Sequence, residues 1–169
     1  SEMMKNAVAG MLEAMPDQTL IFAPHANSYR RLRKGSYAPT FAAWGYENRT
    51  TAIRIPGGSS NARRIEHRVA GGDSNPYLVL AAILSAALEG IENKLQPTPP
   101  IVGEAYLKDL PPLAASWADA VEKFEESALI ARQLSPLLQG QMVECKRQEM
   151  EVFAQKVTDF EYESYLATL

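Results

Sequence analysis

Thr50-Thr51-Ala52-Ile53-Arg54-Ile55-Pro56-Gly57-Gly58-Ser59-Ser60-Asn61-Ala62-Arg63-Arg64-Ile65-Glu66-His67-Arg68-Val69 is the stretch that decides the architecture. Thr50–Ile55 alternates, with Thr51, Ile53 and Ile55 on one face and Thr50, Ala52 and Arg54 on the other. Arg63–Val69 alternates again, with Arg64, Glu66 and Arg68 opposite Arg63, Ile65 and His67. Pro56–Asn61 between them carries the turn residues Gly57 and Gly58. Two half-buried runs around such a turn predict an antiparallel pair of strands.

Upstream, Val8, Met11, Leu12 and Met15 recur at helical spacing and predict a helix over Met4–Met15, stopped by Pro16-Asp17. Thr19–Phe22 is a short apolar run, expected as a strand and broken by Pro24. Asn27–Leu32 is a short polar segment, and Lys34–Pro39 is a loop. Downstream, Gly71–Asn75 is a loop whose Ser74 or Asn75 can cap a helix with Pro76 at its first position. That helix, Pro76–Lys94, is apolar nearly all round and is expected to be central and buried. The five prolines of Leu95–Pro112 make an extended connection. Ser116-Trp117-Ala118-Asp119 resembles a capping box opening a helix to about Glu126. Ser135-Pro136 opens the last long helix, with Leu138, Met142, Cys145, Met150, Phe153 and Val157 as its apolar stripe. Phe160, Tyr162, Tyr165 and Leu166 form an aromatic tail that either packs home or meets another subunit. The order predicts an α+β domain: an antiparallel sheet with packed helices and a helical C-terminal third.

Charge is unevenly placed. Asn27–Arg68 holds eight arginines and one lysine against Glu47 and Glu66, a net +7, while the chain as a whole carries −3. Guanidinium is planar, always charged and forks onto carboxylate or phosphate oxygens, so a small anion is the expected ligand. A single domain with a real core fits 169 residues that are 46% hydrophobic. The lone Cys145 excludes an intrachain disulfide and is expected in the core rather than as a nucleophile. Without a basic-then-apolar leader or a span-length apolar run, the expectation is a soluble cytoplasmic protein with no membrane partner.

The row Arg64, Glu66, Arg68 has two readings. One is a cross-strand salt-bridge ladder with Arg54. The other is a site in which the arginines grip phosphate and Glu66, ionised because cations flank it, holds a hard divalent ion. Single-stranded nucleic acid is a rival ligand, given Tyr29, Tyr37, Trp44 and Tyr46. The negative overall charge, the scarcity of lysine and the absence of an RNA-binding signature count against it. A non-catalytic oligomerisation module is a third reading. His25 and His67 lack ligand spacing and read as structural. Gly57-Gly58-Ser59-Ser60 reads as a turn, since a Walker pattern is absent.

Four segments together resemble the glutamine synthetase family: Asn27–Leu32, Asn48–Pro56, Ala62–Arg68 and Asn75–Leu78. The resemblance runs from about Val8 to the C-terminus and corresponds to the last part of that family's chain. Residues 1–169 are thus expected to be one partial domain, the C-terminal portion of the catalytic domain, without the small N-terminal β-grasp domain. The family activates glutamate with ATP to γ-glutamyl phosphate, which an amine then attacks, and it uses Mg²⁺ or Mn²⁺. By resemblance, Arg49 stabilises the transferring phosphoryl group. Arg31 and Arg68 hold glutamate, Arg54 and Arg64 face the nucleotide phosphates, and Glu66 is a metal ligand.

In ammonia-using members the loop equivalent to Gly35-Ser36-Tyr37-Ala38-Pro39 carries a glutamate where Tyr37 stands. A phenol supplies no negative charge at neutral pH, but it can line a slot for a larger amine. With Trp44-Gly45-Tyr46 following, the chain resembles the γ-glutamyl-polyamine and γ-glutamyl-amide ligases, which implies an organic amine rather than ammonia. Most metal ligands of the family lie upstream of the equivalent of Ser1, so the 169 residues alone are expected to be inactive. The resemblance also implies a homo-oligomer of stacked rings.

Overall fold

The structure, a computed structural model, describes residues 1–59, 61 and 63–168. Helix α1 (Glu2–Ala14) begins where the Ser1 hydroxyl accepts from the Met4 amide. Residues 15–18 form a turn, with the Gln18 amide bonded to the Ala14 carbonyl at 3.0 Å. The Thr19 hydroxyl donates to the Met15 carbonyl at 3.0 Å, and Thr19–Phe22 closes a turn, α2, rather than the expected strand. An apolar run this short is ambiguous by pattern. Asn27–Leu32 likewise contains a short helix, α3 (Ser28–Arg31).

Three strands follow: β1 (Trp44–Tyr46), β2 (Ile53–Ile55) and β3 (Glu66–His67). β2 and β3 are antiparallel as expected, with Ile53 opposite His67 and Arg54 opposite Glu66. The turn between them, expected over Pro56–Asn61, includes Ser60, which with Ala62 lies outside the described residues. β1 adds to the sheet parallel to β2. Parallel neighbours usually need a long crossover; here residues 47–52 suffice. The Asn48 side chain organises that connection. Its oxygen accepts from the Thr50 amide and hydroxyl, and its nitrogen donates to the Ile101 and Gly103 carbonyls.

Asn75 caps α4 (Pro76–Glu92), accepting from the Tyr77 and Leu78 amides, with Pro76 at the first helical position. The expectation of a wholly buried α4 is corrected. Its buried residues are the small ones, Ala82, Ala86 and Gly90, while Tyr77, Leu80, Leu84 and Leu88 are exposed. The small face meets α1 at very close range. A methyl built on Gly10 would lie 2.1 Å from the Ala86 carbonyl oxygen, and one on Gly90 2.2 Å from that of Asn6.

Helices α5 (Trp117–Glu126), α6 (Ala128–Leu134), α7 (Pro136–Ala154) and α8 (Asp159–Tyr165) complete the chain. Ser116 caps α5 by accepting from the Asp119 amide, while the Asp119 carboxylate accepts from the Ala115 amide. Buried Gln139 of α7 donates to the carbonyls of Phe124, Glu125 and Ser127, satisfying the end of α5. Here the stripe differs from expectation. α7 turns Gln139 and Val143 inward, whereas Cys145, Phe153 and Val157 are exposed. The aromatic tail does not pack home either; Phe160, Tyr162, Tyr165 and Leu166 are all exposed. One core joins Val8, Met15, Phe22, Ile53, Ile55, Val69, Phe124 and Ile130. No helix among the described residues is long and apolar enough to cross a membrane.

His67 faces that core, its ring 4.3 Å from that of Phe22, and its Nδ1 has no hydrogen-bond partner among the described residues. Burial lowers its pKa to about 4. The unfolded chain then takes up a proton near pH 6.5 that the folded chain refuses, so stability is full above that pH and falls as pH drops towards 4. The loss between pH 7 and 5 is expected to be about 2 kcal/mol, and His67→Phe should flatten that slope in urea titrations at successive pH values. Gly10→Ala or Gly90→Ala should destabilise by about 2 kcal/mol or more, because backbone must move. Gly140→Ala, in α7 with open space around it, should stabilise by about 0.5–1 kcal/mol. The same urea midpoints read all three.

Candidate functional site: an arginine face beside a tyrosine-lined cleft

Register places Arg54 and Glu66 side by side on the outward face of the β2–β3 pair, since Ile53 and Ile55 are buried. Arg54 bonds to two carboxylates, 2.9 Å to Glu66 Oε2 and 2.8 Å to Glu47 Oε2. Arg64 reaches the other Glu66 oxygen at 2.6 Å. Glu47 also accepts from the Gly57 amide, which ties the end of β1 to the turn after β2. The result is the chain Glu47–Arg54–Glu66–Arg64. Its middle is shielded: the Arg54 and Glu66 side chains are 17% and 25% exposed. Burial pushes the Glu66 carboxyl up, but hydrogen bonds from Arg54 and Arg64 outweigh it and leave the pKa below the ordinary value. The Gly57 amide, then Arg54, lowers that of Glu47.

The ladder reading is therefore what the side chains form. In the sequence Glu47 reads only as an opposing charge; in the fold it is the second arm of the ladder. Its position two residues after Trp44-Gly45 gives no sign of this, because β1 is short and its parallel pairing is not visible in a local pattern.

Arg68 directly follows β3 and bonds to main chain, donating to the carbonyls of Arg49, Thr51 and Tyr37. It pins the 48–52 connection to the loop that carries Tyr37. Arg31, at the end of α3, donates to the Val69 carbonyl just past β3. Ser28 on the same turn donates to Asp73 at 2.6 Å, which holds α3 against the loop after β3. Arg49 is exposed, and its guanidinium has no bonded partner among the described residues. Hydrogen bonds thus tie the ladder, Arg68 and Arg31 to β2, β3 and the segments beside them, and Arg68 reaches the main chain of Arg49.

Tyr37 sits at φ +58, in the left-handed region that a bulky residue rarely occupies, with its ring exposed. Such a conformation persists only where surrounding bonds impose it. The Ser36 hydroxyl donates to the Arg31 and Arg33 carbonyls, and Arg68 holds the Tyr37 carbonyl. Opposite Tyr37 runs the connection after α4. It is strapped down by Ala105 N–H to the Thr50 hydroxyl at 2.9 Å and by the Tyr106 hydroxyl to the Ala38 carbonyl at 2.7 Å. Two adjoining hollows result. One, of about 350 Å³, is lined by Gly35, Tyr37, Thr50, Gly103, Glu104 and Tyr106. The other, of about 430 Å³, includes Tyr37, Tyr46, Glu47, Arg49 and Val102.

Among the described residues no three His, Cys, Asp or Glu side chains converge as a metal site requires. Glu66 offers a single carboxylate, and both of its oxygens are taken by arginines. These residues alone do not fit a divalent-cation site.

A model of the glutamine synthetase catalytic domain matches residues 1–165. A γ-glutamylputrescine synthetase of Escherichia coli (strain K12) is 39% identical over 96% of this chain and 34% of its own. A γ-glutamylethanolamide synthetase of Streptomyces coelicolor is 38% identical over 95% of this chain and 35% of its own. A glutamate–isopropylamine ligase of a Pseudomonas species is 44% identical over 80% of this chain and 30% of its own. The chain thus spans about a third of the length of these relatives. A solved GmaS/ADP complex superposes on 99% of this chain and 40% of its own, with a TM-score of 0.85 and 28% identity. With its arginine-bearing strand pair and helical C-terminal third, the chain belongs to the glutamine synthetase family, as part of its catalytic domain.

Proposed function

We propose that this chain is the C-terminal portion of an ATP-dependent ligase that joins an organic amine to the γ-carboxyl of glutamate. What supports this reading most is that Arg54 and Arg64 meet on Glu66 while Arg68, just past β3, bonds to the carbonyls of Arg49 and Tyr37, both of which line the adjoining cleft. In the reaction the γ-carboxylate of glutamate takes the terminal phosphoryl group of ATP, giving γ-glutamyl phosphate and ADP. The amine nitrogen then attacks the activated carbonyl, phosphate leaves and the nitrogen loses a proton. Negative charge peaks on the transferring group, where preplaced guanidinium groups stabilise it most.

Arg49, whose guanidinium has no bonded partner among the described residues, is the arginine we assign to that group. We assign Arg54 and Arg64 to the nucleotide phosphates, Arg31 and Arg68 to glutamate, and Tyr37 to the amine slot. Glu66 is the residue of this chain assigned to a divalent cation, Mg²⁺ or Mn²⁺, whose other ligands would come from outside it. No step is derived through that ion. The relatives named for putrescine, ethanolamine and isopropylamine support an organic amine over ammonia. The exposed tail and the leucine face of α4 support assembly with further protein, as in a homo-oligomer. They also favour a second reading, in which these 169 residues act only as an assembly module.

In the whole protein, phosphate release with ATP and glutamate should be faster with putrescine or ethylamine than with ammonia; faster turnover of ammonia would refute the amine assignment. The 169-residue chain alone should release no phosphate above a denatured control. Light scattering of that chain separates the second reading, which requires a defined oligomer and no activity of the whole. Arg49→Ala should lower kcat by about 10²–10³-fold and leave the urea midpoint in place, since its guanidinium makes no hydrogen bond or ion pair among the described residues. A mere shift in midpoint with kcat intact would remove Arg49 from the reaction.

A further inference from the structure

The cleft beside Tyr37 poses an electrostatic problem. An amine arrives protonated at neutral pH, and the adjoining face is arginine-rich. The two carboxylates of that face are already engaged: Glu47 with Arg54 and the Gly57 amide, Glu66 with Arg54 and Arg64. Of the residues that line the cleft, Glu104 carries the one other carboxylate. It makes no ion pair or hydrogen bond among the described residues. The backbone that presents it is held firmly. The Gly103 carbonyl accepts from Asn48, the Ala105 amide donates to Thr50, and the Tyr106 hydroxyl donates to the Ala38 carbonyl. Gly103 itself takes φ +81 immediately before Glu104, a turn that glycine makes without strain.

We propose that Glu104 is a specificity-determining residue, which receives the distal ammonium of a diamine lying in the cleft between Tyr37 and Tyr106. This rests on reading the cleft as the amine's place in the ligase. A diamine can lay its methylene chain along the Tyr37 ring and set one charged end against Glu104. Its other nitrogen is then directed past Thr50 towards Arg49, whose hollow adjoins through the shared residues Tyr37, Thr50 and Gly103. A monoamine of the same length gains the apolar contact but not the ion pair. Glu104 is solvent-exposed, so the expected discrimination is modest, about threefold in affinity.

The test titrates putrescine and n-butylamine against the isotope-labelled chain and follows backbone amide resonances. Putrescine should shift Gly103, Glu104, Tyr106 and Tyr37 with about threefold higher affinity than n-butylamine. In Glu104→Gln, which alters no bond of the fold, that difference should vanish while the weaker n-butylamine response persists. Equal affinities in the native chain, an unchanged preference in the variant, shifts mapping elsewhere, or no response to either amine would each overturn the proposal. The outcome is separable from the reaction assigned above. Loss of putrescine preference in the variant, together with no ligation by the whole protein, keeps the cation site and discards the ligase.

Discussion

Arg54 is held between two carboxylates, Glu66 of β3 and Glu47 just past β1, and the rest of the basic face is arranged around that fork. Glu66 reaches it because antiparallel pairing sets the two residues opposite each other. Glu47 reaches it because β1 runs parallel to β2 and ends where the chain turns back at a positive φ. A planar guanidinium can bond on two edges at once, which a lysine ammonium cannot do with the same fixity. The ladder therefore does more than balance charge. It locks three short strands, none long enough to be stable by its own backbone bonds, into one register. It also draws the turn after β2 inward through the Gly57 amide.

Much of this was legible in local pattern. The alternation around Gly57-Gly58 located β2, β3 and the faces of Ile53 and Arg54, because period-2 burial depends on nothing beyond the strand itself. Asn75-Pro76, Ser116 and Ser135-Pro136 marked helix starts, because a cap is satisfied within one turn. What escaped was set by distant partners. Thr19–Phe22 is helical because it continues from Met15 and its carbonyls and amides are bonded that way. β1 exists only through its pairing with β2. Glu104 lies far along the chain from Tyr37, and only the straps at Thr50 and Ala38 bring the two together.

The two-faced character of α4 shows a more general limit. A helix apolar all round could be buried on every side, and the sequence alone favours that reading. Residue size tells more. Ala82, Ala86 and Gly90 recur at intervals of four and present a flat strip to Gly10, so the backbones approach until a methyl group has no room. Tyr77, Leu80, Leu84 and Leu88 are too large for such an approach and lie on the other side. An exposed stripe of that kind is what protein contact would cover. It accords with a chain that spans only a third of its relatives' length.

Charge in this face is divided by the type of acceptor each arginine uses. Arg54 and Arg64 bond to carboxylates, so their charge is largely matched where they stand. Arg31 and Arg68 bond instead to main-chain carbonyls at Val69, Arg49, Thr51 and Tyr37. A carbonyl fixes the direction of a guanidinium without cancelling its charge. Burial lowers the pKa of Arg68, and the neighbouring Arg54 charge lowers it further, yet an arginine remains protonated throughout any working pH. These two side chains are consequently oriented and still positive, the state that recognition of an anion requires. Carboxylate-held arginines build the sheet, and carbonyl-held ones keep its field. A cation entering beside them would meet net positive charge unless a carboxylate stood apart from the ladder, and the connection after α4 carries one, Glu104, among the residues that line the cleft.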